Sequence, residues 1–70
     1  MFNLLIAKPF VGNYHFILHG GKSHTICNRK VSHKWIIRQL QPGETLPSDR
    51  VCFNCQQVAP SYTAEELPIR

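Results

Sequence analysis

Cysteine and histidine are the residues in this 70-residue chain whose types and spacing suggest chemistry. Cys52 and Cys55 are separated by two residues in VCFNCQQ, while Cys27 lies upstream in SHTICNRK with His24 just before it. Zinc takes four nitrogen or sulfur ligands at the corners of a tetrahedron, and cysteine-bearing bends from separate parts of a chain supply that geometry. Phe53 and Asn54 span the bend in which both sulfurs turn toward one ion. Asn28, directly after Cys27, suits a bend of the same kind, because asparagine tolerates the left-handed backbone conformation better than most residues. The plainer reading is that the thiols are ordinary buried side chains. Ligand spacing favours one structural zinc on Cys27, Cys52, Cys55 and a histidine.

Which histidine completes the set is open between His15 and His24. His24 is local, giving a His-x2-Cys pair. However, Thr25-Ile26 reads as strand, where residues three apart point to opposite faces. A hairpin through Gly20-Gly21 with a loop of residues 20–22 would set Cys27 opposite His15, on the same face. A shorter loop shifts the register and separates them. His19, at the turn, reads as solvated, and His33 lies near the start of the 31–40 element, where a ligand role is a minor alternative.

The elements that must position these ligands are short. Residues 2–7 form an expected first strand, ended by Lys8-Pro9, and residues 14–18 a second. Gly20-Gly21 signals a hairpin returning as a third strand over residues 23–27. Residues 31–40 fit a helix capped by Ser32 and stopped by Pro42-Gly43, although Trp35-Ile36-Ile37 equally fits a strand. We lean to the helix. Residues 41–49 read as loop, and residues 52–58 as a cysteine turn with a short helical or extended continuation. Thr63 and Glu66 suit a capping box, but Pro68 limits a helix there to about one turn. The expected fold is small α+β: a β-hairpin-rich, zinc-ribbon-like domain with one short helix over residues 1–60, and a flexible tail over 61–70.

So short a chain buries little and needs a staple, whether disulfide, metal or partner. Three cysteines cannot all pair, and the apolar opening is too short for a leader or a membrane span. The expectation is therefore a cytoplasmic monomer, where clustered cysteines bind metal more often than they pair. The formal net charge is +4, concentrated in residues 1–60. Three thiolates on one divalent ion would leave about +3. That mild excess suits an acidic protein surface or weak contact with nucleic acid.

The stretch from His15 to Cys55 resembles small zinc-finger proteins common in bacteriophage genomes. These carry a strand histidine, a cysteine ten to twelve residues on that is usually followed by glycine, and a later Cys-x2-Cys pair. His15, Cys27, Cys52 and Cys55 match that pattern, with Asn28 in the glycine position. The resemblance favours His15 over His24. Length, the MFNLLIAKPF opening, the basic middle and the cysteine pattern are also similar to small phage-encoded regulators of host bacterial RNA polymerase. That similarity implies a partner-binding transcription inhibitor that weakens the hold of the σ factor, with antitermination as a further activity, in the host bacterial cytoplasm.

An enzyme is the class least expected. A catalytic zinc keeps a position open for water, whereas three cysteines and a histidine fill all four. Glu44 and Asp49 have no partner at acid-base spacing. The competing class is a small zinc-stabilised nucleic-acid-binding module: Lys30, Lys34 and Arg38 would form one basic edge of a helix, with Trp35 able to stack on a base. The plainer reading of those residues is a core tryptophan among solvated cations. The same three cations can steer the domain toward an acidic protein surface, which is the preferred reading.

Overall fold

The computed structural model describes residues 3–21 and 23–70. It is a small α+β fold: a three-stranded antiparallel sheet, one short α-helix and two 3-10 turns, in a zinc-ribbon-like arrangement. Phe2, where the first strand was expected to begin, and Lys22, in the expected hairpin loop, lie outside the described residues.

Strand β1 (Leu4–Lys8) is central, with β2 (His15–Leu18) and β3 (Ile36–Arg38) on its two sides. Leu4 pairs with Leu18 and Ile6 with Phe16, while Ala7 pairs with both His15 and Ile37. Opposite residues of an antiparallel pair share a face. Ile6 and Phe16 therefore look one way into the main core, joined there by Leu4, Leu46, Val51, Cys55 and Ala59. Ala7 and His15 look the other way, and both are buried. An alternating strand hides both faces here because loops cover what the sheet alone leaves bare.

Two expected elements take a different form. Residues 23–27 are not a third strand of a β2 hairpin. The segment folds on itself instead, with Thr25 N–H donating to the Arg29 carbonyl at 2.8 Å and Val31 N–H to the Ser23 carbonyl at 2.8 Å. Asn28 is the cause: it adopts the left-handed conformation with φ of 67°, which reverses the chain at Cys27. One link of the expected register does form, from Ile26 N–H to the Phe16 carbonyl at 2.9 Å.

Residues 31–40 are not a helix either. Ser32 makes a turn, its carbonyl accepting from Trp35 N–H at 3.0 Å and its hydroxyl from Lys34 N–H at 3.3 Å. Ile36 to Arg38 then fills the second edge of β1. The β-branched pair Ile36-Ile37 is worth more on an open strand edge than in a helix of this length.

Helix α1 (Phe53–Val58) carries the second cysteine pair at its start and runs into a 3-10 turn over Ala59–Ser61. Within the last ten residues, expected to form a flexible tail, residues 68–70 lie parallel to residues 46–48. Leu46 N–H donates to the Pro68 carbonyl at 2.7 Å, and Arg70 N–H to the Leu46 carbonyl at 2.9 Å. Thr63 is buried, and its hydroxyl accepts from Glu65 N–H at 3.2 Å rather than starting a helix. Among the described residues, no helix is long and apolar enough to cross a membrane.

Candidate metal centre

Tyr14 and the first two residues of β2, His15 and Phe16, organise the site. Tyr14 grips the second cysteine segment by its backbone: its N–H donates to the Arg50 carbonyl at 2.7 Å, and its carbonyl accepts from Cys52 N–H at 2.8 Å. Phe16 holds the first cysteine turn through Ile26. His15 lies between these two clamps, so segments distant in sequence meet at its ring.

The cluster comprises His15, Cys27, Cys52 and Cys55, whose ligand atoms all lie within 4.8 Å of one another. His15 Nδ1 is 3.7 Å from Cys27 Sγ and 3.6 Å from Cys55 Sγ, and Cys52 Sγ is 3.9 Å from Cys27 Sγ. A zinc ion with bonds of about 2.3 Å to sulfur and about 2.0 Å to nitrogen has tetrahedral edges of about 3.8 Å between sulfurs and about 3.5 Å between nitrogen and sulfur. These three separations match the corresponding edges within a few tenths of an ångström. A disulfide would need two sulfurs at about 2.05 Å, and all three cysteines are free. These four residues are thus close enough to hold a metal ion.

Local sequence explains each placement. Cys52 occupies the N-cap position of α1 without making a side-chain cap bond, leaving its sulfur for the cluster. Cys55 follows within the first turn and is wholly buried. Cys27 is held by its own loop. The Thr25 hydroxyl accepts from Arg29 N–H at 3.0 Å and donates to Cys27 Sγ at 3.0 Å. Such outer contacts fix the ligand's orientation and favour the thiolate.

Electrostatics agree with a ligand role. Burial, aided by the positive charge of Arg29, holds the His15 imidazole below its ordinary pKa, so it is neutral and offers a lone pair. Burial pushes the Cys27 thiol up. Hydrogen bonds from Thr25, the neighbouring cysteines and the Arg29 amide outweigh that and leave it below the usual thiol value. Cys55 is pushed up to about 12, first by burial, then by the neighbouring thiols, although the Phe16 N–H opposes the rise. Three thiolates crowd one small space, so full ionisation requires a cation among them.

The structure brings together His15, Cys27, Cys52 and Cys55 and leaves His24 out. His24 is exposed, and its Nδ1 lies 3.2 Å from the hydroxyl of Ser23. The expected basic edge does not form, since it required a helix over residues 31–40. Lys30 is exposed on an isolated antiparallel bridge to His24, and Lys34 is exposed in a turn. Arg38 lies on β3 and donates two hydrogen bonds to Glu44, at 2.8 and 2.7 Å. Two contributors have little signal in the sequence. Thr25 is marked only as a hydroxyl two residues before a ligand cysteine. Trp35 stacks on His15 with ring centroids 5.3 Å apart.

No protein-family model, curated protein or solved structure matches the chain.

Proposed function

We propose that this chain is a non-enzymatic protein-binding module, stapled by one structural zinc, that binds bacterial RNA polymerase and inhibits transcription initiation by loosening its σ factor, with antitermination as a second effect. One observation carries the staple: four ligand atoms within 4.8 Å of one another, drawn from three separate segments. Zinc is favoured among divalent ions because three thiolates and one imidazole suit a borderline-soft cation in tetrahedral geometry. With four protein ligands the ion has no place for a substrate or water, so its part is to hold shape. Structural zinc contributes about 10–16 kcal/mol in zinc-finger peptides, which is large beside what so small a core supplies.

Support for the polymerase comes from the likeness of the opening residues, basic middle and cysteine pattern to phage regulators of that enzyme. The net charge of +4 agrees with an acidic protein surface as target. The nucleic-acid reading is less favoured. Trp35 has one ring face engaged on His15, and Arg38 is paired with Glu44. The test is capture from bacterial lysate at moderate salt, with recovered proteins identified by mass spectrometry. Recovery of polymerase subunits supports the reading. Their absence leaves only a metal-stapled interaction module.

A further inference from the structure

A cleft of about 460 Å³ opens directly above the cluster, between the 9–13 loop and the start of α1, with His15 and Cys52 among its lining residues. Its lining mixes polar side chains, Asn13, Arg29 and Asn54, with the apolar Val11 and Phe53. Val11 on one side is 82% exposed and Phe53 on the other is 70% exposed, while Phe10, next along the loop, is 92% exposed. Large side chains held this far into water mark a binding surface more often than a chance arrangement. Gly12 shapes the loop that presents them. Its φ is 137°, and a Cβ there would meet the Pro9 ring at 3.1 Å.

Charge distinguishes the occupant. Arg29 lines the cleft, and among the described residues no carboxylate does. Glu44, Glu65 and Glu66 instead line a second cleft, with residues 39–43 and Pro68. Acid is thus segregated from those apolar side chains, and the formal charge that the described residues bring to the first cleft is positive. A nucleic acid would need a track of cations along its phosphates, whereas a single guanidinium beside apolar anchors fits one carboxylate flanked by apolar side chains.

We infer that the Val11–Phe53 cleft is the docking surface of this module, and that it receives a protein segment presenting an acidic side chain to Arg29 and apolar side chains to Phe10, Val11 and Phe53. The inference rests on the polymerase-binding reading above and names the surface that carries it. His15 and Cys52 of the cluster line the cleft, so metal binding and docking are coupled through their positions.

The experiment uses the full chain, with Phe10→Ser, Phe53→Ser and Arg29→Glu variants whose zinc content equals that of the wild type. Capture of purified bacterial RNA polymerase is measured for each. Weakening by about tenfold or more in each variant supports the surface. Wild-type capture with unchanged variants overturns it while leaving the polymerase reading standing. If the wild type captures no polymerase, that reading fails, and a second titration decides the surface alone. Here the fluorescence of Trp35 is followed against a short peptide alternating aspartate with leucine and phenylalanine, its lysine counterpart, and single-stranded oligothymidine. Saturable response to the acidic peptide alone, lost in Arg29→Glu, supports the inference. No response, or a response to oligothymidine instead, overturns it.

Discussion

His15 Nδ1 and Cys27 Sγ, from opposite sides of a glycine-rich turn, stand 3.7 Å apart, the separation of two corners of a zinc tetrahedron. Neither residue is positioned by the other. His15 is set by β2, while Cys27 is set by a turn that hangs from Phe16 by one backbone hydrogen bond. That the two meet at ligand distance gives the centre its specificity for His15.

Replacing His15 by alanine removes a ligand from the closed set, whereas His24 lies outside it. His15→Ala is expected to surrender its zinc to a colorimetric chelator and to lose the dispersion of its amide NMR spectrum. His24→Ala should retain both metal and fold. Metal release by His24→Ala with retention by His15→Ala would reverse the assignment.

Thr25 orients Cys27 through its hydroxyl, so removing the hydroxyl while keeping the shape should loosen the ion. Thr25→Val is expected to weaken zinc affinity by about 10- to 100-fold, and Thr25→Ser to restore most of it. Competition against a chelator of known affinity measures both.

Much of this architecture was legible in the sequence, for identifiable reasons. Cys52-Phe53-Asn54-Cys55 specifies its own bend, and Asn28 marked a left-handed turn that occurs where expected. Residues 31–40 misled because the hydrophobic spacing of so short a segment suits a helix and a strand alike. The open edge of β1, a tertiary fact, decided between them. The turn at Cys27 was hidden in the same way: Thr25-Ile26 has strand propensity, but Asn28 and the Thr25 hydroxyl outweigh it. His15 was one of two candidates because the register depends on backbone bonds at Tyr14 and Phe16, which side-chain types do not encode.

The left-handed backbone at Asn28 carries its own prediction. A β-branched residue there meets its own carbonyl, costing about 1–2 kcal/mol. Asn28→Val should lower the stability of the zinc-loaded protein by about that much in denaturant titration, and Asn28→Gly should leave it near or above the wild type.

Glu44 should carry a pH signature separate from the metal. The hydrogen bonds from Arg38, with the Gln41 amide assisting, lower its carboxyl to about 2 from an ordinary value near 4.5. A carboxyl depressed on folding stabilises the fold above the unfolded value and loses that contribution as pH falls toward the folded one. The stability that the Arg38–Glu44 pair contributes is thus fully present above about pH 4.5 and falls away from there down to about pH 2, where Glu44 itself titrates in the fold. Carbon-detected NMR titration of Glu44 should show the low midpoint in the wild type and a return to the ordinary carboxylate range in Arg38→Gln.

Elemental analysis of the purified, natively folded chain tests the central claim most directly. The account predicts one zinc ion per chain, released when the thiols are alkylated or protonated, with loss of the fold on release. A folded chain with no stoichiometric metal would contradict it.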